Sequence, residues 1–268
     1  VMPDLRIVGA GATADDTPLV ISPSITVDEL MEASGSALDV FSYNFYPKVS
    51  ARCGSTDTAE SVLTEEYLGR VGRARDFYAA VRDRYIPGAP MWVTETAQAA
   101  CGGDRLAAWF QDSIRYVDTL GRLARGDGYV VFHNTLAASD YALIDEDGLV
   151  PRPSYWAGVL WARLVGPQVL AVDTSADLAD LTTYAYCTRS DDGGTTYVVV
   201  NSSTTERRTV ATGSSPVTTY QLTADSLDSS TVMLNGEVVA AADDGTLPDL
   251  DGAEVDGAVT IPPASVTF

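Results

Sequence analysis

The sequence predicts an α/β region followed by an all-β region, and three observations predict it. Strand-like and helix-like stretches alternate through the first 165 residues, an order that argues for a parallel sheet covered by helices. Beyond about Gln168 the texture changes to short Thr-, Val- and Ser-rich runs separated by turn residues, the pattern of an antiparallel β-sandwich. The chain has 268 residues, 46% hydrophobic and 20% charged, which is enough to bury a sizeable core.

Leu5–Val8 reads as the first strand. Gly9-Ala-Gly-Ala-Thr-Ala14 then fits the loose dinucleotide pattern G-x-G-x-x-A, which needs a helix N-terminus directly afterwards to hold a pyrophosphate. Asp15, Asp16, Pro18 and Pro23 come next instead, so this stretch reads as a tight turn. Thr26–Ser34 is a short helix, with Thr26 as N-cap and Glu29 three residues on. Leu38–Tyr46 is rich in aromatic and β-branched residues and stops at Pro47, as a strand does. Leu68, Val71, Phe77, Tyr78, Val81 and Tyr85 recur at helical spacing up to Pro87-Gly88. Met91–Thr94 is the third strand. Leu106, Trp109, Phe110, Ile114, Val117, Leu120 and Leu123 form one apolar face of a long helix, and Gly128–Phe132 is the fourth strand. Tyr155–Leu164 closes the series as a helix, with Pro153 near its start. Four strands, each followed by a helical segment, make half of a (β/α)8 barrel over residues 1–165.

Residues 166–268 read as the β-sandwich. Its strands are Val169–Asp173, Leu181–Thr188, Thr195–Asn201, Arg207–Thr212, Val217–Thr223 and Thr231–Val239, with Asp191-Asp-Gly-Gly194 and Asn235-Gly236 as turns.

Charge and cysteine content narrow the function. With 37 acidic and 17 basic residues the formal charge is −20, which repels polyanions and leaves no basic stripe for a nucleic acid or an anionic membrane. No apolar run approaches the roughly 20 residues that span a bilayer. Val1-Met-Pro-Asp-Leu-Arg6 lacks the regions of a signal peptide; the expectation is a portion of something larger, secreted or extracytoplasmic, whose leader is not in this chain. Cys53, Cys101 and Cys187 are odd in number and lack metal-ligand spacing, so no metal or other cofactor is expected. Cys53 and Cys101 each come a few residues after a strand, which leaves either a Cys53–Cys101 disulfide or isolated thiols.

Two strand ends carry candidate chemistry. His133, the only histidine, ends the fourth strand, and no nucleophile-elbow pattern G-x-S-x-G accompanies it. It is either structural or part of a pocket, because parallel barrels build their sites at those ends. Glu95 lies at an equivalent end between Thr94 and Thr96, with Tyr43, Asn44 and Tyr46 closing the previous strand. Such a carboxylate is either a cap or surface acid, or a nucleophile for an anomeric carbon if a protonated carboxyl lies about 5 Å away.

The order Tyr43-Asn-Phe-Tyr46, Trp92-Val-Thr-Glu-Thr96 with Gly102-Gly103, Phe132-His133, Asp140-Tyr-Ala-Leu-Ile-Asp145, and Pro153-Ser-Tyr-Trp156 with Leu164–Leu170 resembles glycoside hydrolase family 79, the heparanase and β-glucuronidase family. The resemblance covers most of residues 1–170 and continues weakly into Leu181–Cys187. It implies that Glu95 is the nucleophile of a retaining enzyme. It also implies that Gly102 and Gly103 receive the substrate carboxylate on backbone N–H groups, with Tyr141 donating to the same group. Glycine allows close backbone approach, and N–H donors satisfy an anion without adding a full charge. Tyr43 and Asn44 match positions where the family has histidine or tyrosine near the nucleophile, and His133 a position where the mammalian heparanases have glutamine; all three are expected in the substrate site.

The departures set further expectations. The family's acid/base glutamate comes after an asparagine at the end of an earlier barrel strand, and Val1–Phe268 has no counterpart. The resemblance therefore implies a partner, the N-terminal half of the same enzyme as a second chain, bound to the exposed edges of the half barrel. Lys48 is the only lysine, which argues against long sulfated chains. Cys187 matches a family cysteine whose partner lies beyond this sequence. The expected protein is the C-terminal portion of a retaining β-glucuronidase, a second half-barrel followed by a sandwich, acting on a glucuronide or glucuronic-acid-containing glycan. The alternatives are an endo-β-glucuronidase acting on glycosaminoglycan chains, and a non-catalytic carbohydrate-binding fragment.

Overall fold

A computed structural model describes residues 5–13, 25–126, 129–173, 178–190, 193–212 and 216–268. Asp15, Asp16, Pro18, Pro23, Gly128 and the Asp191-Asp192 part of one expected turn lie outside the described residues.

The first part alternates as the sequence implies: β1 (Val8–Thr13), α1 (Val27–Ser34), β2 (Val40–Phe45), α2 (Glu65–Leu68), α3 (Arg70–Tyr85), β3 (Met91–Thr96), α4 (Phe110–Ala124), β4 (Val130–His133) and α5 (Pro153–Leu164). Among the described residues β1 to β4 form one parallel sheet in sequential order, the arrangement that helical crossovers produce. Thr26 starts α1 with the expected reciprocal cap. Its hydroxyl accepts the Glu29 N–H at 3.3 Å while its own N–H donates to Glu29 Oε2 at 2.8 Å, which satisfies two donors the helix leaves free.

The first strand departs from expectation. It starts at Val8 and runs through the glycines expected to form a turn. Gly11 takes a left-handed φ of 70°, and the register against β2 shifts between Ala10 and Ala12. Glycine thus makes a bulge within the strand rather than an end to it.

Alternation divides the sheet into two faces. Phe41, Tyr43 and Phe45 of β2 and Met91 and Val93 of β3 are buried in one cluster with Val71, Ala74, Tyr78 and Val81 of α3 and Leu123 of α4. That outer face is closed by helices.

The second part is a seven-stranded sheet in the order β12-β11-β10-β15-β7-β6-β5. Its strands are β5 (Val165–Leu170), β6 (Leu181–Thr188), β7 (Thr195–Asn201), β10 (Gln221–Thr223), β11 (Val232–Leu234), β12 (Glu237–Val239) and β15 (Ser265–Thr267). Two antiparallel pairs accompany it: β8 (Arg208–Ala211) with β14 (Ala258–Ile261), and β9 (Val217–Thr219) with β13 (Ala253–Val255). The expected Asn235-Gly236 turn joins β11 to β12 with both φ positive, 51° and 88°, as a two-residue hairpin requires. The strand expected at Val169–Asp173 begins earlier, directly off α5, because Arg189 N–H donates to the Leu164 carbonyl and continues the β6 pairing to the helix end.

One core joins the two parts. Phe110, Ile114 and Val117 of α4 and Trp156 and Leu160 of α5 pack with Tyr184, Tyr186, Val198, Val200, Leu222 and Val266 of the large sheet. Gly121 of α4 permits this approach, since a Cβ there would lie 2.4 Å from the Tyr184 ring. Beside it, the buried Asp118 accepts from the Tyr184 hydroxyl at 2.6 Å and from Arg122 Nε at 2.6 Å, so the carboxylate is not left unpaired in the core.

Candidate active site

The parallel sheet brings the loops after β2, β3 and β4 to one edge. Between β2 and β3 the register steps from Tyr43↔Val93 to Asn44↔Glu95. Thr94 is the extra residue of a bulge, and a bulge re-aims the side chain after it. Glu95 leaves the helix-facing parity of Met91 and Val93 and comes to lie opposite Asn44, while Thr94 Oγ1 donates to Asn44 Oδ1 at 2.9 Å.

Glu95 stands in a polar cluster. Its Oε1 accepts from the Tyr46 hydroxyl and, at 3.3 Å, from Asn134 Nδ2. The same amide lies 2.9 Å from the Tyr46 oxygen and 3.0 Å from the Tyr141 hydroxyl. Burial pushes the Tyr46 phenol well above its ordinary value; Asn134 opposes this and the Glu95 carboxylate reinforces it. Tyr46 therefore keeps its proton and donates it to Glu95. With Asn134 it holds the carboxylate in a single orientation.

The glycine pair lies beside this cluster. Cys101, Gly102 and Gly103 all have positive φ, 61°, 78° and 78°, a conformation that glycine adopts without the Cβ penalty. A Cβ on Gly103 would meet the Tyr141 ring at 2.7 Å, so glycine is needed for Tyr141 to pack there. The Gly102 carbonyl accepts the Asp140 N–H at 3.2 Å, and the Gly103 carbonyl accepts Arg52 Nη2 at 3.0 Å. Neither glycine N–H meets a protein acceptor among the described residues.

Two further ties hold the turn. Cys53 and Cys101 form a disulfide across 48 residues with Cα atoms 6.5 Å apart, as the spacing of the two cysteines after adjacent strands allows. Lys48 makes a buried ion pair with Asp104 at 2.8 Å. Burial alone would raise the Asp104 carboxyl, but Lys48 and the Ala51 N–H together hold it below its ordinary value. The single lysine is thus committed to the loop. Cys187 is a free thiol, 3.4 Å from Gln168 Oε1.

Of the residues expected in the substrate site, Glu95, Gly102, Gly103 and Tyr141 come together at this edge, and Asn44 adjoins them through Thr94. Tyr43 does not. It is fully buried on the outer face and stacks on Tyr78 with ring centroids 4.5 Å apart, because strand alternation gives it the opposite parity to Asn44 and Tyr46. His133 is reached only indirectly: its Nε2 lies 3.1 Å from the Tyr141 carbonyl and its ring meets Tyr116 edge-on at 5.3 Å. Burial lowers its pKa, partly opposed by the Tyr141 carbonyl, so a neutral ring props the Tyr141 backbone. Asn134 and the donor role of Tyr46 are not evident from the sequence. Strand parity offers a signal for Tyr46, two residues beyond Asn44; nothing local singles out Asn134.

No protein-family profile matches the chain. Heparanase of Gallus gallus is 31% identical over 234 residues, 82% of this chain and 44% of that protein. Baicalin-β-D-glucuronidase of Scutellaria baicalensis is 27% identical over 183 residues, 66% of this chain and 34% of that protein. Inactive heparanase-2 of Homo sapiens is 28% identical over 212 residues, 70% of this chain and 36% of that protein. The chain therefore spans less than half the length of these relatives. The fold is shared with solved structures of glycoside hydrolases. A 4-O-α-L-rhamnosyl-β-D-glucuronidase from Fusarium oxysporum 12S superposes with a TM-score of 0.60 at 14% identity, over 92% of this chain and 57% of the other. A monomeric β-xylosidase from Caulobacter crescentus CB15 gives 0.59 at 13% identity, over 99% and 61%. The ordered motifs along the sheet edge and the similarity over most of its length agree: the chain belongs to glycoside hydrolase family 79, the heparanase and β-glucuronidase family.

Proposed function

We propose that this chain carries the nucleophile side of a retaining β-glucuronidase. The observation that carries the reading is the pair of hydrogen bonds to Glu95 Oε1 from Tyr46 and Asn134. They steady one oxygen and leave Oε2 for attack on the anomeric carbon. The aglycone oxygen leaves with a proton from an acid/base carboxyl that the N-terminal half of the enzyme supplies. The same carboxylate then takes a proton from water, which attacks the glycosyl ester and frees Glu95. The N–H groups of Gly102 and Gly103, which meet no acceptor among the described residues, and the Tyr141 hydroxyl receive the sugar carboxylate, and Asn44, opposite Glu95 in the sheet and tied to Thr94, adjoins them.

The same reading assigns residues 1–165 to the second half of a (β/α)8 barrel and 166–268 to a β-sandwich that braces it. The open edges of β1 and β4 among the described residues and the exposure of Val130 and Phe132, 40% and 48%, on β4 support a further set of strands as the missing complement. The Cys53–Cys101 disulfide supports an oxidising, extracytoplasmic location.

A second reading, a non-catalytic sugar-binding protein, draws on the similarity to inactive heparanase-2. One experiment separates them. The complete enzyme is treated with a glucuronic-acid-configured covalent inhibitor of retaining glycosidases and its peptides are mapped by mass spectrometry. An adduct on Glu95 is the expected result; no adduct together with no hydrolysis of an aryl glucuronide sinks the catalytic reading.

A further inference from the structure

We infer that Arg52 is a positioning residue that sets the selectivity of this site for a carboxylate-bearing sugar, an inference that rests on the glucuronidase reading. The peptide plane sets the direction of each donor. In a trans peptide the N–H points opposite to the preceding carbonyl, so holding the Cys101 carbonyl aims the Gly102 N–H, and holding the Gly102 carbonyl aims the Gly103 N–H. Glycines at positive φ have the freedom to let these planes flip, which would turn the donors away from the cleft.

Each of these two donor planes is held at its carbonyl. Ser50 Oγ donates to the Cys101 carbonyl at 3.2 Å, and the Asp140 N–H donates to the Gly102 carbonyl at 3.2 Å. Arg52 Nη2 pairs with the carboxylate of Asp140, the residue whose N–H holds the Gly102 carbonyl, and donates at 3.0 Å to the Gly103 carbonyl, which belongs to the plane just after the two donors. The Asp104 N–H, in the plane after Gly103, donates to Gln98 Oε1 at 2.9 Å. Arg52 is the one side chain in this set that grips both the glycine turn and the loop bearing Tyr141. Arg152 holds that second loop from within, through the carbonyls of Asp140 and Ala142 and the Asp145 carboxylate at 3.0 Å, and it does not reach the glycines. Arg52 thus couples the two groups of donors that the sugar carboxylate would need at once.

Arg52 is more than half exposed, 57%, so its replacement leaves the core untouched. The test compares an aryl β-glucuronide with the aryl β-glucoside of the same leaving group, in the complete enzyme and its Arg52→Ala and Arg52→Lys variants. Arg52→Ala is expected to cut the glucuronide-over-glucoside ratio of kcat/KM about tenfold or more. The loss should fall mainly in KM for the glucuronide, with glucoside turnover and the melting temperature held. Arg52→Lys, which keeps one of the two contacts, is expected to restore part of the ratio. An unchanged ratio in Arg52→Ala, or an equal loss on both substrates, overturns the inference and leaves the glucuronidase reading standing. A parent enzyme without preference for the glucuronide overturns both.

Discussion

The two faces of the parallel sheet use the same strands for opposite purposes. On the outer face Phe41, Tyr43, Phe45, Met91 and Val93 are all at most 5% exposed beneath the helices. At the mouth of the other face, Asn44, Glu95 and the neighbouring Tyr46 are joined in hydrogen bonds. The difference teaches that one residue of parity separates a stability role from a chemical one. The bulge at Thr94 is what moves Glu95 across that divide.

The contrast between the faces can be broken from its largest effect downward. Glu95→Gln is expected to lower kcat in the complete enzyme by about a thousandfold or more, because an amide does not serve as the nucleophile, while the melting temperature stays within a degree or two of the parent. Near-normal kcat would remove Glu95 from its role. On the outer face, Phe41→Ala is expected to cost about 3–5 kcal/mol of stability through lost burial and a residual cavity, as read by denaturant unfolding. A loss below about 1 kcal/mol would mean that this face is not the tightly packed one.

Asn134→Ala tests the network at lower amplitude. It removes a donor shared among Glu95, Tyr46 and Tyr141, and a charge-assisted hydrogen bond is worth about 1.5–3 kcal/mol. The expected fall in kcat is about 10- to 100-fold, with the fold intact by circular dichroism; an unchanged kcat would place Asn134 outside the site. His133 gives a gentler test, by pH. Its folded pKa is depressed by burial, so in the window below about 6.5 the unfolded chain binds the proton more readily. Its contribution to stability is complete above that value and declines as pH falls toward the folded pKa. His133→Gln should flatten this part of the stability profile, and an unaltered slope would show that the ring is not held neutral by burial. The smallest expected effect is that of Tyr43→Phe on substrate: KM within about twofold of the parent. A large rise would return Tyr43 to the substrate site.

Much of this is legible in the chain because local periodicity encodes local structure. The cap at Thr26 and the Asn235-Gly236 hairpin depend on neighbours within a few residues and form as expected, and the apolar stripe of α4 forms from Phe110 to Leu123, with Leu106 and Trp109 left in the short turn before the helix. The first strand differs for a complementary reason. Gly9 and Gly11 favour a turn in isolation, whereas pairing with Ser42, whose Oγ accepts the Gly11 N–H at 3.2 Å, draws them into the sheet.

At the site, the sequence alone determined which residue types stand at the strand ends: Glu95, the glycine pair, Tyr141 and the two cysteines after adjacent strands. Only the tertiary structure decided which of them meet. Tyr43 and Asn44 are adjacent in the chain yet face opposite sides. Asn134 and Tyr46 are 88 residues apart yet lie 2.9 Å from one another. The physical reason is that direction is set by register and bulges between strands, and these arise from pairing across the sheet rather than from any one segment.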